Sequence, residues 1–190
     1  GNYVIAAAVL IVLSTAGYVA WNDYRQRQRE ANGERYAAAM ALVAEGKGGE
    51  AATAFGAVAR DSGAGYAALA RLEEAALRAR LGEVDAALAI YDGLAADRSA
   101  HKDMRELAVL LAVLHRLDTI EPAPALESLK PLTAEGGAWR FSAREMSALL
   151  ALRAGDTAGA KETFKALADD LKAPAALRAR AAEMLAVLGA

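Results

Sequence analysis

The chain has 190 residues, a formal net charge of −2 and no cysteine. This excludes disulfides, thiolate catalysis and cysteine-based zinc sites, and the near-neutral balance makes neither nucleic acid nor an anionic lipid surface an evident partner. Alanine, leucine, arginine and glutamate dominate, only four prolines interrupt them, and no run alternates β-branched with polar residues. The expected fold class is therefore all-α.

The chain opens on an uncharged stretch, and Tyr3 to Trp21 is continuously apolar before Asn22 and Asp23 end it. At about 1.5 Å per residue it reaches roughly the 30 Å of a bilayer's hydrocarbon core. Tyr3 at one end and Trp21 with Tyr24 at the other stand where aromatic side chains anchor at the interfaces. Residues 1–22 are read as a transmembrane helix that meets the lipid bilayer through 3–21. Ala6, Ala7, Ser14 and Gly17 give this helix a small-residue side suited to close helix packing. Residues 23–33 read as a helical juxtamembrane connector, and 34–190 as the working domain.

That domain is internally repeated. Gly46 leads to Ala51 and Phe55, Gly82 to Ala87 and Tyr91, and Gly155 to Ala160 and Phe164. Each set is a glycine, an alanine five residues on and an aromatic nine residues on. Gly46 and Gly82 are 36 residues apart, and Gly155 follows after about two more periods, so a degenerate unit should turn near Leu117-Asp118. The glycine ends a first helix in the left-handed conformation, and an acidic neighbour such as Glu83 or Asp156 opens the second favourably. The alanine lets the paired helices approach and the aromatic on the same face fills the space beside it.

The spacing resembles the turn and second helix of the tetratricopeptide repeat. The first helices lack that repeat's Trp-Leu-Gly-Tyr pattern; residues 66–81 carry a Leu69, Leu72, Ala76, Ala79 stripe instead. Hairpins are expected at about 34–60, 64–97, 102–134 and 138–170, the third set off by Glu121-Pro122-Ala123-Pro124. A capping helix at about 174–188 would complete a short α-solenoid of four hairpins.

Catalytic chemistry is missing from the pattern. His101 and His115 lack partners at metal-ligand spacing, and Glu45-Gly46-Lys47-Gly48-Gly49 has neither the strand nor the Ser/Thr of a phosphate loop. No catalytic, cofactor-binding or metal-binding residue is assigned, no cofactor or small-molecule substrate is expected, and the chain is read as non-enzymatic. What remains is the surface of a repeat array, which binds proteins or peptides along its concave side. Arg71, Arg78, Arg105, Arg140 and Arg144, all on first helices, are the candidate groove residues. The groove that clamps chaperone C-termini in some repeat proteins relies on asparagine, and this chain has none after Asn32.

One span, a connector and an alanine-rich repeat domain resemble the YfgM-like family. The stretches that carry the likeness are Gly1-Asn2-Tyr3, Gly65-Tyr66-Ala67-Ala68-Leu69-Ala70, Trp139-Arg140 and the segment from Pro174 through Leu177, Arg178 and Arg180. The resemblance implies an ancillary subunit of the SecYEG translocon in the bacterial inner membrane. It implies a short cytoplasmic N-terminus, a periplasmic repeat domain, and association with SecYEG and the membrane-anchored periplasmic chaperone PpiD in assisting secreted proteins. Against that orientation, Arg25, Arg27, Arg29 and Arg35 follow the span at once, and basic residues favour the cytoplasmic side. Two rival readings are a structural accessory subunit of another large inner-membrane complex and a cytochrome c maturation repeat protein.

Overall fold

The computed structural model describes the backbone of residues 2–189 and the side chains of Tyr18 and residues 21–189. Within these residues the chain is helical throughout. Helix α1 is Asn2–Ala44, α2 Gly48–Asp61, α3 Ala64–Arg80, α4 Val84–Ala96 and α5 Lys102–His115. Then come α6, Pro122–Leu129, with a 3₁₀ turn at Lys130–Thr133, α7, Arg140–Arg153, α8, Thr157–Asp169, and α9, Ala175–Val187.

Helix α1 has no break where the connector was expected to meet the first repeat. Its 43 residues make a rod of about 64 Å. Nothing in the stretch could stop it: no proline, no left-handed residue, and only two glycines, at 17 and 33. Gly33 instead serves packing, since a Cβ there would lie 3.2 Å from the Tyr66 hydroxyl. The last turns of the rod are the first helix of the first hairpin.

Three of the hairpin turns are built alike. Gly46, Gly82 and Gly155 have φ of 77°, 82° and 85°, a region costly for any residue with a Cβ. At Gly82 the glycine N–H donates to the Ala79 carbonyl and the next N–H, of Glu83, to Arg78 at 2.9 Å. The same pair of bonds closes the other two turns, from Gly46 to Val43 and Lys47 to Leu42, and from Gly155 to Leu152 and Asp156 to Ala151. This double closure satisfies carbonyls that a helix end leaves free.

The third hairpin is made differently. After α5 the N–H groups of Thr119 and Ile120 both donate to the Arg116 carbonyl, at 2.8 and 2.7 Å, with no glycine present. Its second helix is short: Pro122 is tolerated at the start, whereas Pro131 lacks the N–H an α-helix needs, and the chain tightens into the 3₁₀ turn. Ala125 and Leu129 stand five and nine residues after Ile120 and are 1% and 0% exposed. They fill the places held by Ala51 and Phe55, Ala87 and Tyr91, and Ala160 and Phe164, all buried.

Each hydrophobic core joins one hairpin to the first helix of the next. Ala39, Ala51, Phe55 and Val58 meet Ala70 and Leu77 of α3. Ala87, Tyr91 and Leu94 meet Ala108 and Ala112 of α5. Leu110, Leu129 and Leu132 meet Met146 and Leu150 of α7, and Phe164 and Leu167 meet Leu177 and Ala181 of α9. No hairpin closes its core alone, which makes the array cooperative along its length.

Among the described residues no helix is long and apolar enough to cross a membrane. The span expected at 3–21 lies outside the described side chains apart from Tyr18 and Trp21, and so do Ala6, Ala7, Ser14 and Gly17.

Candidate partner-binding face

The first helices touch in series: α1 meets α3, α3 meets α5, α5 meets α7 and α7 meets α9. The second helices α2, α4, α6 and α8 do not pack on one another to a comparable extent. Between α2 and α4 a gap of about 530 Å³ opens, lined by Gly56, Arg60, Glu74, Ile90 and Gly93. A stack held close along one side and splayed along the other curves toward the close side. The first helices therefore line the concave face.

The C-terminal half of that face holds an apolar groove of about 620 Å³ between α5, α7 and α9, with Phe164 of α8 at its floor. Leu110, Leu114, Met146, Leu149, Met184 and Val187 line it. Leu114 and Val187 are 48% and 80% exposed, so the groove presents aliphatic surface directly to solvent. Arg180 of α9 forks onto Glu145 of α7, Nε to Oε1 and Nη2 to Oε2 both at 2.8 Å. The hydrogen bond to that carboxylate holds the guanidinium pKa above its ordinary value. This pair ties the two walls together and, with Glu183, supplies the polar rim.

The five arginines named from sequence are scattered rather than gathered. Arg71 pairs with Asp97 at 2.6 Å, at the far end of its own hairpin. Arg78 is shared between Glu74 and Glu83, both at 2.8 Å. Arg144 donates twice to the Thr133 carbonyl and pairs with Glu135 at 2.8 Å. Arg140 lies 4.0 Å from the Phe141 ring centre and donates to the Gly137 carbonyl. Arg105 is half-buried on α5, its Nε without a hydrogen-bond partner.

One of these contacts belongs to a pattern the sequence reading missed. Arg35 and Asp61 pair at 3.4 Å, and Arg71 and Asp97 repeat that pair one unit later. In each the arginine precedes its aspartate by 26 residues. The recurrence of Arg and Asp at one offset from Gly46 and from Gly82 was the available signal. Ser99 donates to Asp97 from its hydroxyl and its N–H, and with Arg71 it holds the carboxyl at about 2, below the ordinary 3.8.

The remaining polar features serve the fold. His101 caps α5 by accepting from the Asp103 N–H, and His115 ends α5 stacked on Tyr91 at 5.7 Å between ring centres. Burial first, and then the charge of Glu73, push the Tyr91 hydroxyl pKa up. Trp139 is half-buried and donates from Nε1 to the Asp103 carbonyl at 2.8 Å, tying α7 to α5. Among the described residues no group of three or more His, Cys, Asp or Glu could hold a metal ion.

The family described as tetratricopeptide repeat-like domain matches residues 1–185. The chain belongs to that family. No curated protein and no solved structure matches it. A tetratricopeptide repeat-like array is typically non-enzymatic and works as an adaptor between proteins, through surfaces such as the concave groove above.

Proposed function

We propose that the chain is a membrane-anchored adaptor whose solenoid holds protein partners on its concave face. The observation that carries this reading is the solvent-open aliphatic groove between α5, α7 and α9. A surface that leaves Leu114 and Val187 in water invites an apolar partner segment. The resemblance to the YfgM-like family supplies the setting. In this reading the chain is an ancillary subunit of the SecYEG translocon. It sits in the bacterial inner membrane through residues 3–21, carries its solenoid on the periplasmic side, and works with a membrane-anchored periplasmic chaperone on secreted proteins.

The apolar run before Asn22 supports the anchor, and α1 supports a fixed link between anchor and solenoid because it is one unbroken helix. Mild crosslinking in native membranes, gentle solubilisation and mass spectrometry of the purified complex test the assignment. Recovery of SecY with a periplasmic chaperone is the expected result. One stoichiometric complex lacking SecY would overturn the translocon setting and leave an architectural subunit.

A further inference from the structure

The charged stretch of α1 beyond the apolar run is strongly sided. At roughly 100° per residue, Trp21, Arg25, Asn32, Tyr36 and Ala39 share one face of the helix. That face is the one the solenoid covers. Ala39 and Asn32 are 0% and 7% exposed, and Tyr36 packs edge-on to Phe55 at 5.1 Å. Arg29 lies at the margin of this face. Asp23, Arg27, Glu30 and Glu34 lie on the opposite one, where Arg27 pairs with Asp23 at 2.8 Å and Glu30 accepts from Gln26. The near face therefore carries cations and no carboxylate over residues 21–32.

These cations are also uncommitted. Arg25 stacks over the Trp21 ring at 5.3 Å, and among the described residues neither Arg25 nor Arg29 forms an ion pair. Tyr18, Trp21 and Tyr24 beside them are 72%, 58% and 56% exposed. An exposed aromatic cluster followed within one or two turns by free guanidinium groups matches the layered chemistry of a membrane surface. Aromatic rings favour the boundary of the acyl region, and phosphates lie just outside it.

We propose that Trp21, Arg25 and Arg29 form a binding face for the phosphate of anionic phospholipid headgroups. The inference rests on the membrane-anchored reading above and adds a ligand class to it. Guanidinium groups bind phosphate by paired hydrogen bonds, and only the near face offers them without a competing carboxylate. Asn32 follows Arg25 by about 10 Å along the helix. The bound headgroup therefore lies between the bilayer and the first hairpin and sets the standoff of the solenoid.

The test uses the full chain carrying Trp139→Phe, so that Trp21 is its only tryptophan, in vesicles of phosphatidylcholine with brominated phosphatidylglycerol or brominated phosphatidylcholine at equal fraction. Circular dichroism checks that each variant keeps its helicity. Stronger quenching of Trp21 by the anionic lipid is expected. The preference should fall about fivefold for each of Arg25→Gln and Arg29→Gln and stay nearly unchanged in Arg27→Gln, whose cation already faces Asp23. Equal quenching by the two lipids would overturn the headgroup site while leaving the anchor standing. No quenching by either lipid would overturn both.

Discussion

Arg153 of α7 donates from Nη1 to the carbonyl oxygen of Ile120 at 2.8 Å and also reaches the carbonyl of Leu117. A cation from the fourth hairpin thus closes the turn of the third, the one turn between paired helices that lacks glycine. Elsewhere the backbone satisfies itself through a left-handed residue. Here a neighbour's side chain does that work, so the third unit depends on the fourth for its turn as well as its core. Arg153→Ala should lower stability by about 1 kcal/mol, below the usual value for a charge-assisted bond because the site is exposed. Urea unfolding measures this, and hydrogen exchange should show the loss concentrated at residues 116–120. Uniform loss across the array would contradict the assignment.

Two glycines should respond to the same substitution with opposite sign. Gly82 has φ 82°, and Gly82→Ala should cost roughly 1–2 kcal/mol for placing a Cβ in left-handed backbone. Gly93 lies inside α4 with nothing within 4 Å of a Cβ. Gly93→Ala should therefore stabilise by about 0.4–1 kcal/mol. Paired denaturation curves decide it, and equal effects would refute the account of the turns.

Leu129→Ala should cost about 2–5 kcal/mol, as expected for emptying a fully buried aliphatic position. Leu126→Ala, at the neighbouring position outside the motif and only partly buried, should cost clearly less. A reversed order in thermal unfolding would mean that Leu129 does not hold the aromatic's place.

Asp97 gives a pH signature. Its carboxyl titrates at about 2 in the folded chain against an ordinary 3.8. A folded value below the unfolded one means the unfolded chain takes up the proton first on acidification. The contribution of Asp97 is therefore present above about pH 4 and is lost as pH falls toward 2. The stability gap between the natural chain and Asp97→Asn, followed by urea unfolding at stepped pH, should close across that window. A gap that stayed constant would disprove the linkage.

The legibility of this chain in its sequence follows how locally each feature is encoded. Gly46, Gly82 and Gly155 announce their turns because left-handed backbone selects one residue type, and the alanine and aromatic that follow are placed by helical spacing alone. The third turn was legible only by counting, since Leu129 replaces the aromatic and the closing group, Arg153, lies 33 residues from Ile120. The continuity of α1 was hidden because the connector at 23–33 and the hairpin from 34 read as separate elements, whereas Gly33 lets Tyr66 pack against an unbroken helix. The groove was least legible of all. Leu114 and Val187 look like ordinary core positions, and only the curvature of the stack leaves them open. The arginines drew attention as charge, yet Arg71, Arg78 and Arg144 find their partners inside the fold.

The central claim is that the concave groove between α5, α7 and α9 seats a protein partner. The most direct measurement places a photo-crosslinking side chain at Leu114 or Val187, with exposed Ala89 on the convex side as the comparison, in the full chain in native membranes. The account predicts one discrete crosslinked protein from both groove positions, none from position 89, and loss of the groove crosslink when half-buried Leu149 of the groove wall is changed, Leu149→Lys, provided that helicity is retained. Crosslinks from position 89 with none from the groove would contradict it.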